Sequence, residues 1–189
     1  MNPILSRLER NPVIAAVRTP AAVQDACSAL AEVAFLLCGD ILNAGDLVRQ
    51  LQAAGKLVLV HMDLLGGIGR DPQAVEYLAR AIRPDGIIST RSQLIRTGRD
   101  RGLLTVQRFF LLDSQSVAMT AETAASVRPD MVEVMPGICP RVIRRLSSEA
   151  GKRLPVIAGG MIEEKEDIVE ALSAGASGVS TSRKELWDL

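Results

Sequence analysis

The sequence predicts a compact α/β chain of the (β/α)8, TIM-barrel type, and three observations carry that prediction. Short, near-continuous apolar runs recur along the 189 residues, each followed by a segment of helical character or a helix start. Continuous rather than alternating apolar strands indicate a sheet buried on both faces, the condition of a parallel sheet wrapped by helices. Polar residues gather at or near the C-terminal ends of these runs, where a barrel assembles its mouth. Finally, Pro155–Ser182 reads as a strand, Gly159-Gly160, a helix, Gly175, a second strand and Ser180-Thr181-Ser182. Glycines let the main chain approach an anion closely, and the loops after strands seven and eight are the usual phosphate site of such barrels.

Each element has a local reason. Asn11-Pro12 introduces the strand VIAAV (13–17), and Pro20 suits the first turn of a helix running to about Ala31. AFLLCGD (34–40) is the second strand; Asn43 is placed to cap a helix that Gly55 stops. LVLVHMD (57–63) is the third, followed by a glycine-rich loop and a helix opening at Asp71-Pro72 and ending before Pro84. GIIST (86–90) is the fourth, with Ser92 as cap of a helix to Gly102. LTVQRFFLLD (104–113) is the fifth, with Ser114 as cap of a helix to Val127. MVEVMPG (131–137) is the sixth, and a helix from Pro140 ends at Gly151; strands seven and eight complete the count. No linker or composition break divides residues 1–189, so one domain is expected. An open doubly wound sheet is the alternative architecture.

Composition excludes several functional classes. Lys+Arg and Asp+Glu both number 22, so no global charge drives the chain to nucleic acid or membrane. No apolar run approaches the roughly 20 residues a spanning helix needs. Cys27, Cys38 and Cys139 are odd in number and lack metal-site spacing, which reads as reduced thiols in a cytoplasmic protein. Apart from His61-x-Asp63, no pair stands at a recognised ligand spacing, so no metal is expected.

The strand ends supply the candidate site. Gly159, Gly160, Ser180, Thr181 and Ser182 are the phosphate candidates; His61, Asp63, Arg91, Arg108 and Glu133 are placed to orient hydroxyls and add charge. Each has a plainer reading: His61 as a hydrogen-bonded core residue, the arginines as structural partners of the acids. Arg18, Asp40 and Asp113 stand at the same mouth, the last equally suited to start a helix. All four lysines lie at strand starts or in helices, so no Schiff-base lysine projects into the mouth.

Seven stretches in register carry a resemblance: PVIAAVR (12–18), HMDLLGGIGRD (61–71), GIISTRS (86–92), QRFFLLDS (107–114), VEVMPG (132–137), PVIAGGMI (155–162) and STS…LW (180–187). The chain resembles the glycerol uptake operon antiterminator regulators over essentially its whole length. The resemblance implies a TIM-type barrel that senses glycerol 3-phosphate as effector, without a cofactor. It also implies binding to the leader mRNA of glycerol-metabolism genes, so that transcription reads through a terminator. Two basic groups are the RNA candidates: Arg91, Arg96, Arg99 and Arg101 around the fourth helix, and Arg141, Arg144, Arg145, Lys152 and Arg153 around the sixth. Of the five aromatics, three lie in predicted strands, so recognition of a folded leader hairpin by phosphate and shape is expected. The competing class is a phosphate-binding barrel enzyme acting on a small phosphorylated polyol; self-association into a homo-oligomer is left open.

Overall fold

In the computed structural model, which describes residues 2–150 and 154–189, eight parallel strands close into a barrel in sequence order. They are β1 (Val13–Val17), β2 (Val33–Leu36), β3 (Leu57–His61), β4 (Gly86–Ser89), β5 (Leu104–Phe110), β6 (Met131–Met135), β7 (Val156–Gly159) and β8 (Gly178–Thr181). Closure is made by β8 on β1, with Val13 opposite Val179 and Ala15 opposite Thr181. Helix α1 (Pro3–Leu8) precedes the barrel. Helices α2 (Val23–Ser28), α3 (Ala44–Ala53), α4 (Pro72–Tyr77), α5 (Ser92–Asp100), α6 (Ser114–Val127), α7 (Pro140–Ala150) and α8 (Lys165–Ser173) follow the first seven strands. After β8 the expected helix is a single 3-10 turn, Lys184–Leu186, and Trp187 closes it by donating its indole N–H to the Thr181 carbonyl (2.8 Å). The open doubly wound sheet is thereby excluded.

Side chains alternate across each strand, so the apolar runs feed two cores. Ile14, Phe35, Leu59, Ile88, Val106 and Ile157 pack together inside the barrel, while Val13, Ala15, Val58, Val60 and Val132 belong to the outer core shared with the helices. Helix α1, which the apolar pattern does not announce, plugs the barrel floor with Ile4 and Leu8, both fully buried in the inner core. Asn2 caps it by accepting from the Ile4 N–H (2.9 Å), and Pro3 occupies its first turn. Among the described residues, no helix is long and apolar enough to cross a membrane.

Several boundaries and caps differ from expectation. The second to sixth strands all end earlier, at Leu36, His61, Ser89, Phe110 and Met135, and the residues beyond them form the mouth loops. Asp113, not Ser114, caps α6: its carboxylate accepts from the Ser116 N–H (2.8 Å), and the Ser116 hydroxyl accepts from the Asp113 N–H (3.0 Å). Ser92 accepts from the Gln107 side-chain amide (3.0 Å) and Asn43 from the Asp40 N–H (2.9 Å), so neither side chain caps its helix. Gly151, Lys152 and Arg153 lie outside the described residues.

Candidate functional site at the barrel mouth

The inward-facing residues of each strand follow the pleat, and one step past the inner core they turn polar. His61 stands two residues beyond Leu59, Arg108 beyond Val106, Glu133 beyond Met131, and Gly159 beyond Ile157. Ser180 sits opposite Gly159 in the β7–β8 ladder, and Arg108 opposite Glu133 in β5–β6. Glu133 is completely buried; it accepts from Arg108 Nε at 2.6 Å on one oxygen and from the Ser180 hydroxyl at 2.6 Å on the other. Burying such a carboxylate is tolerable because both oxygens are satisfied by strong donors. Gly159 makes room for this arrangement, since a Cβ there would lie 2.5 Å from Glu133 Oε1 and 2.6 Å from Ser180 Oγ.

Above this layer opens a cavity of about 510 Å³, lined among others by Arg18, Arg108, Gly160, Ser180, Ser182 and Arg183. Arg108 is 7% exposed, and its terminal nitrogens make no hydrogen bond to the protein among the described residues. Arg18 is exposed with no acidic partner among the described residues, and Arg183 faces Glu163 at 3.3 Å. The β7 end turns through left-handed conformations at Gly160 (φ +76°) and Met161 (φ +61°), which glycine accommodates and methionine rarely adopts. The Ser182 hydroxyl has no protein partner among the described residues.

The phosphate candidates, with Arg108 and Glu133, thus separate into three groups. Gly160, Ser180, Ser182 and Arg108 come together on the cavity wall. Gly159 and Glu133 lie just behind it, supporting Arg108 and Ser180. Thr181 reaches the cavity, but its hydroxyl is occupied: it donates to the Ile162 carbonyl (2.8 Å) and accepts from the Arg183 N–H (3.1 Å).

The β3 pair forms a separate structure. His61 is buried with neither ring nitrogen hydrogen-bonded, its Nδ1 3.9 Å from Asp63. Burial pushes its pKa down to about 4; the Arg108 charge adds to that fall and Asp63 opposes it. The Asp63 carboxylate accepts from the Ser89 hydroxyl (3.0 Å), the Thr90 N–H (2.8 Å) and Arg91 Nε (3.2 Å), clasping the β3 and β4 ends together. Burial alone would raise its pKa, but the Thr90 and Ser89 hydrogen bonds, with His61, leave it below the usual carboxylate value.

The helix arginines are placed differently again. Arg96 donates to the Ser126 hydroxyl (3.0 Å), Arg99 to the Val127 carbonyl (2.8 Å), and Arg101 pairs with Glu76 (2.6 Å), so the α5 group ties α5 to α6 and α4. Arg141, Arg144 and Arg145 are exposed along α7. Two cavity arginines received no ligand role from the sequence: Arg18, although placed at the mouth, and Arg183. The available signal was positional, since Arg18 stands two beyond inward-facing Ala16 and Arg183 directly follows the Ser/Thr cluster.

Fold and site together define a class, the (β/α)8 barrels with a polar, arginine-bearing cavity at the C-terminal ends of their strands. Residues 13–187 match the family model of the glycerol-3-phosphate responsive antiterminators, and the chain belongs to that family. It is 33% identical over 187 residues to the uncharacterized protein YgcP of Escherichia coli K12, covering 99% of this chain and 97% of YgcP. The crystal structure of a glycerol uptake operon antiterminator regulatory protein from Listeria monocytogenes superposes with a TM-score of 0.88 at 33% identity, covering 94% of this chain and 95% of that one. A glycerol uptake operon antiterminator-related protein from Thermotoga maritima gives 0.81 at 33% identity, covering 93% and 96%.

Proposed function

We propose that this chain is a cytoplasmic sensor of glycerol 3-phosphate that acts, when occupied, as an antiterminator on the leader mRNA of glycerol-metabolism genes. The observation that carries the ligand half is Arg108: a buried guanidinium, fixed by Glu133, that turns unused donors into a cavity also lined by Arg18 and Arg183. Such a group is poorly solvated and gains most from acceptors on a ligand. The floor of the cavity pairs one positive charge with one negative and carries the Ser180 hydroxyl, which suits the glycerol hydroxyls. Its rim carries Gly160, Ser182, Arg18 and Arg183, with Glu163 as the facing acid, which suits the phosphate. Family membership supports the effector and the RNA target alike. The reading assigns no catalytic residue and no cofactor. For occupancy to regulate, the ligand must bind two conformations differently; a tenfold change in RNA affinity requires about 1.4 kcal/mol of coupling.

Phosphorus NMR of the protein with glycerol 3-phosphate, followed over hours, tests this. A shifted or broadened resonance without a new species is expected, and Gly160→Asp, which adds a like charge at the rim, should abolish it. A growing product signal would make the chain an enzyme; retained affinity in folded Gly160→Asp would remove the phosphate from this rim.

A further inference from the structure

The exposed apolar side chains of the mouth form an arc. Phe110 (54% exposed), Leu112 (87%), Ile138 (41%) and Met161 (65%) stand at or just past the ends of three adjacent strands, β5, β6 and β7. Main-chain bonds stitch these loops side by side: Leu111 N–H to the Met135 carbonyl (2.7 Å) and Gly137 N–H to the Gly160 carbonyl (3.0 Å). Exposed arginines flank and interrupt the arc, with Arg91 past β4, Arg141 in the first turn of α7, Arg183 past β8 and Arg18 past β1. From β4 round to β1 the rim therefore alternates cation, apolar, apolar with cation, apolar, cation, cation. Of the acids in this sector, Asp63 holds Arg91, Asp113 and Glu164 cap α6 and α8, and Glu163 pairs with Arg183, while Glu166 in the first turn of α8 is exposed with no partner among the described residues.

We propose that this arc, rather than Arg96, Arg99 and Arg101 of α5, is the RNA-binding surface, and that in place of the folded hairpin expected from the sequence it takes a single-stranded segment with bases against Phe110 and its apolar neighbours and phosphates on the flanking arginines. The inference rests on the reading of the chain as an RNA-binding antiterminator. Unpaired bases stack on aromatic faces and lie against apolar side chains, while arginines track the backbone; a flat basic helix face offers only the second. Docking of a second copy through the same face would bring rows of like-charged arginines together about a two-fold axis, which opposes self-association there. The α5 arginines are held by Ser126, Val127 and Glu76, as Arg91 and Arg183 are by Asp63 and Glu163; what sets the arc apart is the exposed apolar side chains that stand beside its cations. The placement also supplies a coupling route, because Arg18, Met161, Glu163 and Arg183 belong to both the cavity wall and the arc. A phosphate seated among them changes the charge and shape the RNA meets, with no signal carried through the barrel.

The test uses an RNA selected in vitro, from a random single-stranded pool, for binding to the intact chain with glycerol 3-phosphate present. Phe110→Ala removes a half-exposed side chain and is expected to weaken that RNA by about fivefold or more, the lower end of base stacking on an aromatic ring. Its affinity for glycerol 3-phosphate should be unchanged, whereas Arg18→Ala should weaken both ligands. Photocross-links should map to the peptides containing Phe110, Ile138 and Met161. Full RNA affinity in Phe110→Ala, with binding lost in an Arg144→Ala/Arg145→Ala double variant that keeps Arg141, would move the site to α7 and overturn the proposal while leaving RNA binding intact. A Phe110→Asp variant that turns a dimer into a monomer without touching RNA affinity would make the arc a self-association surface instead. Failure of the selection to yield any binder would overturn the RNA reading itself.

Discussion

Replacing Glu133 by glutamine isolates the interaction on which the cavity floor depends. The carboxylate is fully buried, Arg108 is 7% exposed, and their 2.6 Å contact is joined by the 2.6 Å bond from Ser180. Glutamine keeps the shape but removes the charge, and its amide nitrogen must face either Arg108 Nε–H or the Ser180 hydroxyl. Breaking a buried ion pair by neutralising one member costs about 3–5 kcal/mol, because the other charge stays desolvated and unpaired. The cavity gives Arg108 some access to solvent, so the lower end, about 3 kcal/mol, is the expected loss. For a chain of this length that corresponds to a fall in Tm of about 6–12 °C. Urea denaturation of both proteins without ligand measures it directly. A double variant, Arg108→Met/Glu133→Met, removes both charges and should be less destabilised than Glu133→Gln alone. A Glu133→Gln protein within about 1 kcal/mol of the parent would refute the claim that this pair is held desolvated.

Three further perturbations read neighbouring parts of the same mouth. His61, with its pKa pushed down from 6.5 to about 4 by burial, is neutral in the fold where the unfolded chain takes up a proton, so its contribution is complete above pH 6.5 and is lost as pH falls toward 4. The loss should approach roughly 3 kcal/mol across that window, and urea titrations at several pH values should show a shallower slope in His61→Gln. Gly159→Ala should destabilise by about 1–3 kcal/mol, since its Cβ meets Glu133 and Ser180 at 2.5 and 2.6 Å. Gly160→Ala, whose nearest neighbour is the Met135 side chain at 3.5 Å, should cost about 1–2 kcal/mol through its left-handed backbone alone. Thermal melts of the two alanine variants, with Ser180→Ala combined with each, separate the cases: only Gly159→Ala should lose less when the hydroxyl it collides with is already gone.

Much of this architecture was legible because a parallel barrel writes each strand as its own apolar run, with punctuation at both ends. VIAAV matches its observed bounds and the sixth helix its observed end at Val127, since Pro12, Arg18 and Arg128 sit where strand and helix geometry change, while that helix starts one residue earlier than expected because Asp113 caps it. Helix α1 was not legible. Ile4 and Leu8 give only two apolar contacts at helical spacing, and their purpose, filling a barrel floor, exists only once the barrel has closed. The overlong strands have a related cause: apolarity continues past the last ladder pair in Leu111 and Leu112, so composition alone does not mark where pairing stops.

At the site, the sequence indicated the location of the polar groups better than their duties. The mouth follows from pleat periodicity, since the residue one step past the last inner apolar residue must face the open end. Duties depend on neighbours from distant strands. Asp63 could have addressed a ligand, but Ser89, Thr90 and Arg91, from the next strand end, surround its carboxylate. The hydroxyl of Thr181 could have met a phosphate, but the β7 loop brings the Ile162 carbonyl within 2.8 Å of it. Arg108 illustrates the converse. Its pairing with Glu133 reads as structural in isolation, yet the pairing consumes one nitrogen and aims the remaining donors at the cavity. A glutamate that both neutralises and orients an arginine leaves the floor electrically balanced and the rim, with Arg18 and Arg183 against Glu163, cationic. Such a division suits a small molecule with hydroxyls at one end and charge at the other, and it is built by β5 and β6, which pair directly, with β8 reaching Glu133 across the curled sheet.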